Sequence, residues 1–182
     1  MAKRQVFFSF HYNNDVWRAS QVRNMGVVEC QPIYSDNGWE KVRLKSESGI
    51  AAWIDSEMRM RSCVVVLIGK ETSSRKWVKY EIEKAWREGK GIVGIYIHGL
   101  ENASGEQSLK GSNPFDKFYV DKTINYIAER STPADQNDVK MSTVCKAYDT
   151  PYISSKFVYE YIKNNIADWI EEAIKIRGNF PK

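Results

Sequence analysis

The chain has 182 residues, 42% of them hydrophobic and 13% aromatic, which suits one globular domain, 1–182, able to bury about 70% of its unfolded surface without disulfide or metal staples. Its 27 Lys and Arg against 23 Asp and Glu leave a net charge of +4, interspersed with acids and without a basic stripe, so a nucleic-acid partner is not expected. Three distant cysteines (Cys30, Cys63, Cys145) and two histidines (His11, His98) give neither a disulfide framework nor metal-ligand spacing, and no apolar run approaches the roughly 18 residues of a membrane span, so reduced thiols, no metal, no membrane and a cytoplasmic location are expected.

Gln5 to Phe10 (QVFFSF) reads as the first strand, and His11 to Asp15 as a polar turn ahead of a helix over Val16 to Arg23. Met25 to Ile33 holds a second strand whose register the pattern does not set, with Pro32 at an edge or an end. Ser35 to Ser48 carries the turn signal Asp36-Asn37-Gly38 and reads as a loop, with Lys41 to Lys45 (KVRLK) as a solvated run. Helical spacing returns through Ile50, Trp53, Ile54 and Met58. Cys63 to Ile68 is a continuous apolar run rich in β-branched residues, the pattern of a central strand covered on both faces, and Gly69 stops it. The turn Lys70 to Ser74 follows, with Ser73 or Ser74 suited to cap a helix that starts near Arg75 and ends at Gly89 and Gly91.

Ile92 to Ile97 repeats the buried-strand pattern. An irregular insertion is then expected at about 99–140, in which Thr123 to Glu129 reads equally as helix or hairpin. Thr143 to Tyr148 reads as the last strand, and the stripe Val158, Ile162, Ile166, Trp169, Ile170, Ala173 and Ile174 as a C-terminal helix at about 156–177. Strands alternating with helices predict an α/β fold, a doubly wound parallel sheet of about five strands with helices on both faces.

One carboxylate is out of pattern. On a wheel of about 100° per residue, Val78, Ile82, Ala85 and Trp86 form the apolar stripe of the helix after the third strand, with Lys79, Glu83 and Arg87 opposite, and Glu81 on the shoulder of the stripe. Such a residue can snorkel to water or pair with Lys84 or Arg75. It can also sit desolvated in a crevice beside Trp77, where a raised pKa suits nucleophilic or acid/base work. Ligands of open α/β sheets bind outside the carboxyl ends of the strands, where strand order reverses. Three loops lie there: His11 to Asp15, Ser35 to Glu40 and Lys70 to Ser74. Within them Tyr12 and Trp39 suit stacking on a base or nicotinamide ring, and Asp36 suits a ribose hydroxyl, with turn-forming and core-packing roles as the plain alternatives. A phospho-acceptor receiver lacks its acidic pair in His11-Tyr12, a flavodoxin lacks its phosphate cradle in HYNND, and neither GxGxxG nor GxxxxGK[ST] is present.

FFSFHY near the N-terminus, CVVVLIGKETSSRKWVKYEIEKA, GIYIHGL and NPFDKF together resemble the TIR-like proteins of bacteria and archaea that include the NAD-consuming subunit of the Thoeris anti-phage system. The resemblance is close from Arg4 to about Phe118 and weaker beyond. It implies a TIR-type, flavodoxin-like fold in which Glu81 acts on the nicotinamide ribose of NAD. Phe7, Ser9 and His11 match the first-strand motif, and Trp77 matches the aromatic before the Glu. NAD is then substrate, with no separate cofactor. By the same resemblance, the product is a (cyclic) ADP-ribose signal for a SIR2-like or NAD-derivative sensing effector, and self-association through TIR-like surfaces is a further expectation. The second loop, Tyr34 to Glu40, departs from the pattern in its middle. A non-enzymatic TIR-like interaction module and a nucleoside deoxyribosyltransferase remain as alternatives.

Overall fold

The computed structural model describes residues 2–33 and 41–182. In chain order its regular elements are β1 (Gln5–Ser9), α1 (Tyr12–Asn24), β2 (Glu29–Cys30), α2 (Glu47–Met58), β3 (Cys63–Ile68), α3 (Lys76–Arg87), β4 (Gly91–Tyr96), β5 (Phe118–Asp121), β6 (Ile127–Glu129), β7 (Asp138–Lys140), β8 (Ala147–Tyr148) and α4 (Ser155–Gly178). The main sheet is parallel throughout, in the order β2-β1-β3-β4-β8, the flavodoxin-like arrangement.

Alternation along the strands sorts the core into two layers. Val6 and Phe8 of β1, with Cys63, Val65 and Leu67 of β3, face α1 and α4. Phe7 of β1, with Val64, Val66 and Ile68 of β3, faces α2 and α3. All six residues of β3 are buried, as its uninterrupted apolar pattern requires of a central strand. Because strand order reverses between β1 and β3, the chain leaves β1 for one face and β3 for the other. A crevice opens between their carboxyl ends.

Several local expectations are corrected. The segment read as a turn, Tyr12 to Asp15, is already the first turn of α1: His11 is extended (φ −78°, ψ 102°) and its carbonyl accepts the Asp15 N–H at 2.9 Å. Asp15 in that first turn complements the positive helix end. Neither Ser73 nor Ser74 caps α3. Those residues belong to a 3₁₀ turn, Thr72–Ser74, and Arg75 stands at the N-cap without a side-chain bond. Thr72 Oγ1 instead accepts the Gly69 N–H at 2.8 Å and ties the turn to the end of β3. Gly89 closes α3 with φ +72°, a left-handed position where glycine carries no Cβ strain, and the Lys90 N–H reaches back to the Ala85 carbonyl at 2.9 Å.

The stretch where the pattern weakened holds a three-stranded antiparallel sheet, β6-β5-β7, so Thr123 to Glu129 is part of a hairpin and not a helix. Phe118, Val120 and Ile127 of this sheet join Ile82 and Trp86 of α3 in the same core layer. Its strands are short and its loops are set by Asx-type bonds, such as Asp121 Oδ1 with the Thr123 N–H at 2.6 Å, which leave little periodicity to read.

Two polar side chains hold the frame. Gln31, just past the two-residue strand β2, donates from its amide to the Phe8 carbonyl at 2.6 Å and accepts the Phe8 N–H at 2.8 Å. It stands in for a strand neighbour where β2 ends. Arg177 of α4 is fully buried and donates to the Trp86 carbonyl from Nε at 3.1 Å and Nη2 at 2.7 Å, tying α4 to the end of α3. No helix among the described residues is long and apolar enough to cross a membrane.

Candidate active site

Glu81 sits in the middle of α3 with its carboxyl turned away from the charged face of the helix and towards the sheet, and it is only 7% exposed. The side chain that meets it is Ser9 at the end of β1, whose hydroxyl donates to Glu81 Oε2. Strand alternation explains the pairing, because Ser9 points to the same face as Phe7, two residues earlier. Neither basic neighbour considered from the wheel neutralises the carboxyl. Lys84 bonds Asp55 at 3.2 Å and Glu88 at 2.7 Å, and no ion pair of Arg75 is found among the described residues. Burial raises the Glu81 pKa to about 8, against the smaller lowering by the Ser9 hydroxyl.

The carboxyl forms part of the wall of a cleft of about 390 Å³, together with Phe10, His11, Tyr12 and Asn13 after β1, Val42, Arg43 and Ile50 before and in α2, and Arg75, Lys76, Trp77 and Val78 at the start of α3. A smaller cavity of about 40 Å³, lined by Phe7, Phe10, Tyr12, Gln31, Trp53 and others, also reaches Glu81. Among the described residues, the only acidic side chain lining the main cleft is therefore Glu81, and its basic ones are Arg43, Arg75 and Lys76, with aromatic walls between. The N-terminus of α3 adds its positive end on the same side.

Of the residues singled out from sequence, the structure brings Glu81, Ser9, His11, Tyr12 and Trp77 together. Tyr12 and His11 are buried and line the cleft, and Trp77 packs edge-on against Tyr80 with centroids 5.6 Å apart. Phe7 is a core residue that lines the small cavity and not the main cleft. Asp36 and Trp39 lie outside the described residues. The run Lys41 to Lys45 is not wholly a solvated face, since Val42 is buried and Arg43 borders the cleft.

Residues 7–102 match the family model described as "Thoeris protein ThsB, TIR-like domain". The chain belongs to this ThsB TIR-like family. A relative from Bacillus cereus (strain MSX-D12), named "Putative cyclic ADP-D-ribose synthase ThsB1", is 37% identical over 121 residues, 64% of this chain and 62% of that protein. The match thus spans less than two thirds of the relative's length. The stretch shared with the ThsB TIR-like model runs from β1 to just past β4 and holds every cleft residue described above, leaving β5–β7, β8 and α4 outside it.

Sequence reasoning missed Phe10, Arg43, Ile50 and Arg75 as cleft residues. Arg75 was legible in one respect: it falls six residues before Glu81, at the point where the turn feeds the helix. Arg43 carried no signal, because its place depends on how the chain returns from the edge of the sheet. The Ser9 contact gives a direct check on the electrostatics of this ThsB TIR-like cleft. Ser9→Ala removes the hydrogen bond that favours the ionised carboxyl, so Glu81 is expected to titrate higher than in the parent protein, measured by carbon-13 NMR of labelled glutamate side chains. An unchanged or lower titration would show that the hydroxyl does not stabilise the carboxylate.

Proposed function

We propose that this protein cleaves the bond between nicotinamide and ribose in NAD and passes the ribose to a hydroxyl acceptor, releasing nicotinamide and a cyclic or linear ADP-ribose product that acts as a signal in anti-phage defence. The observation that carries the reading is the charge layout of the cleft. Among the described residues, a desolvated carboxyl without a cationic partner stands at one wall, and guanidinium groups without an ion pair stand at the rim. NAD has the complementary layout, a positive nicotinamide ribose joined to a negative diphosphate.

In this reading the aromatic walls, Phe10, Tyr12 and Trp77, hold the flat nicotinamide ring, while Arg43, Arg75 and Lys76 face the diphosphate. Breakage of the glycosidic bond develops positive charge on the ribose, and the bond electrons leave with nicotinamide, which becomes neutral. A carboxylate beside the ribose stabilises that charge where water is excluded. The cost of burying Glu81 is met before the substrate arrives. Pairing with the bound cation then pulls its pKa back down, so binding expels a proton and tightens as pH rises towards about 8. The name of the Bacillus cereus relative, a cyclic ADP-D-ribose synthase, supports the same reaction class. A SIR2-like or other NAD-derivative sensing effector is the proposed recipient of the product, and self-association through TIR-like surfaces the proposed assembly.

The test is incubation of purified protein with NAD, with free nicotinamide and ADP-ribose products separated by chromatography and identified by mass spectrometry. Stoichiometric nicotinamide with a cyclic or linear ADP-ribose is expected. Intact NAD after long incubation at high protein concentration would count against the enzyme reading and for an interaction module.

A further inference from the structure

The reaction proposed above leaves a proton to be disposed of, and Glu81 is poorly placed to take it while it balances the ribose cation. A second titratable group on the cleft is His11. It is 8% exposed, it lines the cleft beside Tyr12, and its Nδ1 is sealed from solvent without a hydrogen-bond partner among the described residues. The acidic oxygen facing that sealed nitrogen is Glu71 Oε2, at 3.6 Å, on the turn after β3. Asn14 Nδ2 donates to the same Glu71 oxygen at 2.8 Å and fixes the carboxylate.

This is the arrangement of an oriented base: a carboxylate near one ring nitrogen of an imidazole that lines the cleft. The separation is longer than a hydrogen bond, and such contacts tighten when substrate closes the site. A neutral imidazole that carries its proton on Nδ1, the nitrogen nearer Glu71, leaves the Nε2 lone pair free to take a proton.

We propose that His11 is the base that accepts the proton of the hydroxyl nucleophile, with Glu71 and Asn14 as positioning residues. The inference rests on the NAD reading above. The C1–N bond to nicotinamide breaks and its electron pair stays on the ring nitrogen. The oxygen of water or of a ribose hydroxyl bonds to C1, and its proton passes to His11 Nε2, giving an imidazolium that returns the proton to solvent. The groups facing His11 agree with a neutral resting state. Burial and the Arg75 guanidinium hold its pKa below the usual histidine range, while Glu71 opposes them, and Glu81 lies on the same cleft.

Nicotinamide exchange separates this step from the rest. Return of labelled nicotinamide to the ribose regenerates NAD through the same bond breakage but needs no proton acceptor, whereas hydrolysis and cyclisation onto a hydroxyl do. For purified full chain, the ratio of summed ADP-ribose products to label exchanged into NAD is measured across pH. His11→Asn is expected to lower that ratio about 100-fold, the scale of a lost general base. Glu71→Gln is expected to lower it less and to shift the acid limb of the ratio to lower pH, because a carboxylate that favours the imidazolium has been removed. An unchanged ratio in His11→Asn, with products and exchange falling together, overturns the base assignment and leaves the NAD reading intact. Parent protein that neither exchanges nor releases nicotinamide overturns both. The ratio is internal to folded, active molecules, so partial misfolding of a variant does not imitate the result.

Discussion

Replacing Glu81 by Gln is expected to lower nicotinamide release about 10³-fold and, at the same time, to make the protein more stable above neutral pH. The loss of activity follows from removing the group that becomes a carboxylate against the bound ribose cation, where an electrostatic contact contributes factors of about 10² to 10³. The gain in stability follows from linkage. A carboxyl whose pKa is raised from 4.5 to about 8 on folding holds its proton more tightly in the folded chain. Its contribution is therefore fully present below pH 4.5 and is lost as pH rises through 8. The amide of the Glu81→Gln variant stays neutral at every pH, so the two proteins should unfold alike near pH 4.5 and diverge above it, by up to about 4 kcal/mol at pH 8.5. Urea unfolding at the two pH values measures the difference, and nicotinamide release measures the activity. Equal stability at pH 8.5 would mean the carboxyl is hydrated, and retained release would move the chemistry away from Glu81.

Arg177→Ala is expected to destabilise the protein by about 3–5 kcal/mol, lowering Tm by roughly 6–20 °C, read by thermal and urea unfolding. The guanidinium is 1% exposed and touches no carboxylate among the described residues. Its acceptors are the Trp86 carbonyl, the Phe180 carbonyl at 3.2 Å and Asn125 Oδ1 at 3.2 Å, and it stacks 4.4 Å from the centroid of the Trp86 ring. Trp86 lies in the last turn of α3, where unpaired carbonyls make the negative end of the helix dipole. The cation satisfies that end, and truncation to Ala would leave a buried carbonyl and a cavity beside Trp86 and Phe180. Lysine cannot replace the fork, so Arg177→Lys should recover less than half of the loss. A change within about 1 kcal/mol would show that water replaces the guanidinium at little cost.

The fold was legible where one physical signal dominated. Cys63 to Ile68 and Ile92 to Ile97 could only be buried strands, and the stripe from Val158 to Ile174 could only be a long covered helix, because continuous β-branched runs and 3.6-residue spacing have few other uses. The Glu81 anomaly was legible for the same reason, as a charge inside a pattern that excludes charge. What was lost was set by contacts between distant segments. Tyr12 to Asp15 carry polar turn residues, yet the way β1 ends makes them helical. The strands from Phe118 to Lys140 are too short to show alternation. Ser9 entered only through the resemblance of the first-strand motif, since no local pattern could say that it would meet Glu81 of the helix packed on its face of the sheet. Arg43 and Glu71 reach the site through chain path alone.

The Gln31 amide has an implication for how the site can diversify. Because one side chain supplies this pair of hydrogen bonds to β1, Phe8 does not depend on the backbone beyond Gln31 for its partners. The segment leading from Pro32 towards α2 can change length or composition without exposing an unpaired edge at Phe8, and loop length itself adds little entropy cost. The scaffold and the connection that follows Pro32 are thereby separable for natural variation, with a single glutamine as the joint between them.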